Sequence, residues 1–155
     1  IIVAHKLGIV LANAGIDASN VAPPSDVEQV LLLPRDPDRS AQDYHARIKQ
    51  RTGVGVGIII NDSVGRAWRL GTTSLAIGVA GVTALADHRG KPDLFGVSLK
   101  VSEEAVADEL ASAASLLQGQ AAEKSPVVLI RGFVSGSDNQ TAASLIRPVD
   151  EDLFR

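Results

Sequence analysis

Apolar residues along this chain come in short aliphatic runs broken by glycine and polar clusters, with two stretches of helical spacing between them. Ile1-Ile2-Val3-Ala4 and the run 7–11 read as strands, and 30–33 as a short strand stopped by Pro34. Residues 35–39 form a polar linker to Ser40, the expected N-cap of a helix with Asp43 in its first turn. Tyr44 and Ile48 fall on one face of that helix, Lys49 and Arg51 suit its C-terminal end, and Gly53 stops it. It leads into Val54-Gly-Val-Gly-Ile-Ile-Ile60, which reads as a buried strand closed off by Asn61-Asp62-Ser63. Small and aliphatic residues at 72–81 predict a second buried strand or a tightly packed segment. Val97, Leu99 and Val101 alternate with Ser98 and Lys100, the period of a half-exposed strand. Ser102 caps the clearest helix, 103–118, with an apolar face of Val106, Leu110, Ala113, Ala114 and Leu117, and Gly119 ends it. Residues 127–130 form the last strand, and 141–146 a short helix.

The strand, helix, strand order predicts an α/β fold, and the pattern leaves parallel and mixed sheets unseparated. At 155 residues the chain fits one domain with a proper core, and 45% hydrophobic with 21% charged residues is ordinary globular composition. A formal charge of −3 and the lack of a basic block argue against a nucleic-acid partner. Cysteine is absent, which removes disulfides and thiolate chemistry and is compatible with the cytoplasm. No apolar run reaches the roughly 18 residues of a membrane span, and no signal peptide is visible. The chain opens without methionine on a strand-like segment, from which we expect a start inside a longer protein.

Three polar segments carry the candidate chemistry. Ala12-Asn-Ala-Gly-Ile-Asp-Ala-Ser-Asn20 offers Asp17, Ser19 and Asn20 on small, glycine-relieved backbone, and Pro23-Pro24-Ser25-Asp26 extends the connection. Asp62 and Ser63 end the central strand, and the following Gly65–Gly71 loop carries Arg66, Trp68 and Arg69. Gln120 follows the long helix. A carboxylate, a hydroxyl and two guanidinium groups suit a metal-bound polyphosphate, because hard cations take oxygen ligands and arginine grips anions with paired hydrogen bonds. The same residues also read as plain turns with two solvated arginines and a half-buried tryptophan. If the strand ends share one sheet edge, Asp17 with Asn20, Asp62 with Ser63, and Gln120 converge on one cleft suited to magnesium or manganese. His5, His45 and His88 lack ligand spacing and read as surface or satisfied core residues, and Asp108 and Glu109 as the solvated face of the long helix. No nucleophile elbow, dinucleotide fingerprint or P-loop is present.

Leu11-Ala-Asn-Ala-Gly-Ile-Asp-Ala-Ser-Asn20 and Asn61-Asp-Ser-Val-Gly-Arg-Ala-Trp-Arg-Leu-Gly71 resemble segments of the coenzyme F-420:L-glutamate ligases, the gamma-glutamyl ligases of deazaflavin cofactor biosynthesis. The likeness continues through Ala76-Ile-Gly-Val-Ala-Gly81, Arg89-Gly-Lys-Pro-Asp-Leu-Phe-Gly96, the long helix and Pro126-Val-Val-Leu-Ile-Arg-Gly132. The resemblance implies an α/β two-domain fold of mixed sheet and flanking helices, with residues 1–155 a catalytic-domain fragment that lacks its upstream segment. It implies GTP as substrate, magnesium or manganese with potassium as a further ion, the coenzyme F-420 precursor and L-glutamate as partners, and a homodimer. Matched by motif, Asp17 and Asp62 would hold one metal, and Ser63 with Gln120 a second. Asn20 and the loop Gln118, Gly119, Gln120, Ala121, Ala122, Glu123, Lys124 and Ser125 would contact GTP. On charge grounds alone, Arg66 and Arg69 are expected to bind the anionic substrate. The chain departs from the family pattern at Ala67 (usually proline), Ser63 (usually threonine), and positions 122 and 124, where Asp and Gly are usual. A non-catalytic metabolite-binding or dimerisation module, or an amide ligase with another acceptor, are the alternative functions.

Overall fold

The computed structural model describes residues 1–21, 27–134, 136 and 139–152. The expected connection at 23–26 and part of the 135–139 loop lie outside them. Strands β1 (Ile2–Ala4) and β2 (Val10–Ala12) pair antiparallel, and helix α1 (Pro37–Thr52) follows. Its chain then enters a long antiparallel hairpin of β3 (Ile58–Arg66) and β4 (Arg69–Ala80). Strands β5 (Ala86–Asp87) and β6 (Glu103–Glu104) make a third antiparallel pair, and helix α2 (Val106–Gln118) completes the order.

The hairpin corrects the reading of the central stretch. β3 starts at Ile58 and does not stop at Asn61-Asp62-Ser63, because those residues gain partners in Ala76, Leu75 and Ser74. Cross-strand pairing with Ser74-Leu75-Ala76, continued by Thr73 and Thr72 opposite Val64 and Gly65, overrides the polar break. The pairing slips after Ile60, where Ile77 is extra on β4, and again after Gly65. Arg66 opposes Arg69 across the tip, with Trp68 in left-handed conformation at φ 59° and 88% exposed. The expected glycine loop is therefore two paired strand ends. All strand pairing among the described residues is antiparallel, in three two-stranded sheets, where a mixed sheet was expected.

Helix α1 begins before Ser40. Asp36 caps it by accepting from Arg39 N at 2.8 Å, Pro37 takes the first position, and Gly53 closes it at φ 73°. Ser40 Oγ instead donates to Asp36 O at 3.0 Å. Helix α2 begins at Val106, since Glu103 and Glu104 pair with β5 and Ala107 N donates to Ala84 O at 3.1 Å. Its inward face is Val106, Ala107, Leu110 and Ala111, rotated from the expected one, and Leu117 is exposed.

Both helices pack on β4. Ala76, Val79, Val82, Ala84, Ala107, Ala111 and Ala142 form the core, with Ile59, Leu110 and Leu145 against it. Such small side chains permit close approach: a Cβ on Gly78 would run into the Pro37 carbonyl. Helix carboxylates take up backbone N–H groups of β4, as Asp38 Oδ1 accepts from Val79 N and Asp108 Oδ1 from Ala76 N, both at 2.8 Å. Asp108 is thus half-buried, not solvated; burial pushes its carboxyl up, with the Ala76 N–H pulling against it. Glu109 is exposed.

Other expected strands are reduced. Residues 30–33 keep a single bridge from Leu31 to Asp17, and 97–101 a single bridge from Ser98 to Pro92. Residues 127–130 pair with no strand among the described residues, and 141–146 shortens to a 3-10 turn at Ala142–Leu145. No helix among the described residues is long and apolar enough to cross a membrane.

Candidate functional site

Three segments meet at one polar cavity of about 310 Å³. The first is the loop after β2, where Asp17 Oδ1 accepts from both the N–H and the hydroxyl of Ser19 at 2.7 Å. This Asx turn fixes the loop, and Asn20 follows it in left-handed conformation at φ 54°. The second is the middle of β3, where the slip after Ile60 re-aims Asn61 and Asp62, and Asp62 accepts from Ser63 N at 2.8 Å. The third is the end of α2 and its loop, Gln118 to Glu123. Here Gly119 turns the chain at φ 74°, and a Cβ there would collide with the Glu123 carboxylate. Glu123 Oε2 accepts from Ala121 N at 2.8 Å and closes the loop on itself.

Side chains tie the segments together. Asn20 Nδ2 donates to Ala121 O at 2.9 Å, joining the first loop to the third across 101 residues of sequence. Asn61 and Gln118 exchange amide hydrogen bonds at 2.9 and 3.3 Å, and Gln118 Nε2 also reaches Pro126 O at 3.4 Å. Neither Asn61 nor the buried Ser74, which also lines the cavity, stood out in the sequence as a site residue. Ser74 carried a signal in the hydroxyl-bearing triplet that opens an otherwise aliphatic strand.

The cavity holds unequal carboxylates. Ser19 keeps the Asp17 carboxyl below its ordinary value, through its hydroxyl first and its N–H second. Asp62 is pushed up, chiefly by burial and further by the negative charge of Asp17, against the pull of the Ser63 N–H. Glu123 is held down by N–H donors, Ala121 first. Two carboxylates that repel each other, beside a hydroxyl and an amide oxygen, form an all-oxygen donor set that fits a hard divalent cation. Among the described residues no group of three or more His, Cys, Asp or Glu side chains is placed to hold an ion. Neutral oxygens and water would have to complete the shell.

The cavity gathers Asp17, Asn20, Asp62, Ser63, Gln118, Gly119, Gln120, Ala121 and Glu123. Ala122, Lys124 and Ser125 belong to the same loop but do not line it. Arg66 and Arg69 stand exposed at the hairpin tip, where Arg66 Nη1 donates to Gly71 O at 3.5 Å. Arg66 lies four residue steps beyond Asp62, about 13 Å along β3. The histidines are satisfied elsewhere: His5 by Leu7 N, His45 by Val56 O, and His88 by Glu104 and Lys91. A second cavity of about 890 Å³, apolar and open, shares Asn61, Gln118 and Pro126 with the polar one.

Fold and site together define an α/β protein with an oxygen-lined polar pocket, built without a P-loop. Residues 1–132 match the family model described as F420-0:Gamma-glutamyl ligase, and the chain belongs to that family. It is 47% identical over 155 residues to the coenzyme F420:L-glutamate ligase of Methanocaldococcus jannaschii. Identity is 45% over 155 residues to the ligase of the same name from Methanococcus maripaludis. To that of Methanopyrus kandleri it is 46% over 152 residues, or 96% of this chain and 59% of the relative. All of this chain is covered in the first two matches, and 60% of each relative, so it spans about three fifths of their length.

Proposed function

We propose that this chain carries the phosphate-facing pocket of a GTP-dependent ligase that adds L-glutamate to the coenzyme F-420 precursor. The observation that carries the reading is the meeting of Asp17, Asp62 and the Gln118 to Glu123 loop around one polar cavity. Family membership and relatives named as coenzyme F420:L-glutamate ligases support the acceptor and the amino acid. In the reaction a carboxylate oxygen of the precursor attacks the γ-phosphorus of GTP, the bond to the β-phosphate oxygen breaks, and GDP leaves. The amino nitrogen of glutamate, having lost a proton, then attacks the acyl carbon of the acyl phosphate. The carbon–oxygen bond to phosphate breaks, giving an amide and inorganic phosphate.

Asp17 and Asp62 would hold one magnesium or manganese ion, with Ser63 and Gln120 toward a second and potassium as a further ion. Such ions, when bound, would neutralise charge on the transferred phosphoryl group. Asn20 and the backbone of the Gln118 to Ser125 loop would position the nucleotide. Loop order supports this, since the Asn20 to Ala121 bond and the Glu123 to Ala121 bond fix the loop before any ligand arrives. Arg66 and Arg69 would receive an anionic part of the precursor reaching along the hairpin. The same reading gives residues 1–155 the role of a catalytic-domain fragment of a two-domain, homodimeric, cytoplasmic enzyme.

Incubation of the full-length protein with GTP, manganese, L-glutamate and the precursor is expected to give sustained GDP release, beyond one equivalent per enzyme, only when glutamate is present. Asp62→Asn should lower that release at least a hundredfold with the fold intact by circular dichroism. GDP release that needs no acceptor, or an unimpaired variant, would refute the reading. Release restored only by a different acid would point to an amide ligase with another acceptor.

A further inference from the structure

Val127, Val128, Leu129 and Ile130 read as a strand, yet no backbone group of these four bonds to another described residue. β3 has β4 as its sole strand partner among the described residues. Residues 58–61 and 126–130 wall the same open apolar cavity of about 890 Å³. Side chains alternate between the faces of a strand. Successive residues of both segments lining one space therefore mean that backbone edges border it. An edge of β-branched residues with free N–H and carbonyl groups is a template for another strand. A strand supplies an N–H and a carbonyl at every step to match those groups, which a small apolar ligand does not.

The surface as a whole asks for more polypeptide than a ligand supplies. A monomer of 16.2 kDa is expected to expose about 7,500 Å². This chain exposes 11509 Å², and Val127 and Val134 are 85% and 93% exposed. A strand seated between β3 and residues 127–130 needs both of its edges free; every strand among the described residues has one edge taken, so a second copy could seat only its own residues 127–130 there. The relatives are longer, with 60% of the Methanocaldococcus jannaschii ligase matched by this chain.

We infer that the apolar cavity is a strand acceptor. An extended apolar strand pairs with β3 on one side and residues 127–130 on the other, and it comes from the two fifths of the relatives' length that has no counterpart in these 155 residues.

The test is to co-express this chain with the unmatched two fifths of the Methanocaldococcus jannaschii ligase as a separate polypeptide, and to follow amide hydrogen exchange. The two polypeptides should co-purify, and exchange at 58–61 and 127–130 should slow at least about tenfold. Leu129→Pro, which removes an N–H that bonds to no other described residue, should cut co-purification at least about tenfold and leave the Tm of the chain alone unchanged. Leu94→Ser, at an exposed site outside the cavity, should change neither. Failure to co-purify, or co-purification with no protection of these amides, overturns the inference. Equal protection in the chain alone on self-association, or with the coenzyme F-420 precursor alone, overturns it in favour of a second copy or a ligand.

Discussion

Asp87 is fixed by its neighbour. The Arg89 side chain, then its N–H, hold the Asp87 carboxyl down from 3.8 to about 2. A depressed acid stabilises the fold above its unfolded value, and that contribution is lost as pH falls through the folded one. Asp87→Asn should therefore lower Tm slightly at neutral pH, with the gap closing between about pH 4 and about pH 2. A gap that persists below pH 2 would contradict the ion pair, and a large gap at neutral pH would contradict its exposure. Asp62 has the opposite sign: burial first and Asp17 second raise it, so its charge is disfavoured in the folded chain. Neutralising it should cost little stability while removing ligand affinity, which separates a binding role from a structural one. The sequence made Asp17 and Asp62 visible as polar breaks in apolar surroundings. It could not display the Asn61–Gln118 exchange, because residues 57 positions apart meet only through the packing of α2 on the hairpin.

Among the elements, α1 and β4 depend on a single carboxylate. Asp38 Oδ1 accepts from Val79 N at 2.8 Å and from Ala142 N at 2.9 Å, and Asp38→Ala would strand both donors. Hydrogen bonds to a charged group contribute about 1.5–3 kcal/mol each, so a loss of about 3 kcal/mol is expected in urea unfolding. A loss under about 0.5 kcal/mol would mean that water replaces the carboxylate. Gly78→Ala forces a methyl against the Pro37 carbonyl and should cost about 1–3 kcal/mol, or more if α1 cannot shift. Helix α1 was legible from its charged last turn and Gly53, because capping is local chemistry. Its start was not, as Ser40 and Asp36 both suit a cap and Pro37 decides between them. The strand ending at Asn61 was misjudged because its continuation depends on Ser74, Leu75 and Ala76 arriving alongside. Local composition carries no record of that partner. The expected strand at 127–130 has the right residues but no neighbour among those described.

For the whole molecule, the fold works by bringing distant loops to one place. The Asn20 to Ala121 bond spans the chain, and β3 runs between the two loops with Asp62 at the meeting point. The family was legible from its motifs, and the match over residues 1–132 agrees with that reading. The pairing topology was not, since α1 feeds an antiparallel hairpin instead of returning beside an earlier strand. Everything proposed for the chemistry rests on Asp17 and Asp62 sharing one cation. Manganese titration followed by electron paramagnetic resonance, with GTP present, measures this on the wild type, Asp17→Asn and Asp62→Asn. Either substitution alone should weaken manganese binding at least tenfold. Retention of wild-type affinity by both variants would mean that the two carboxylates share no ion.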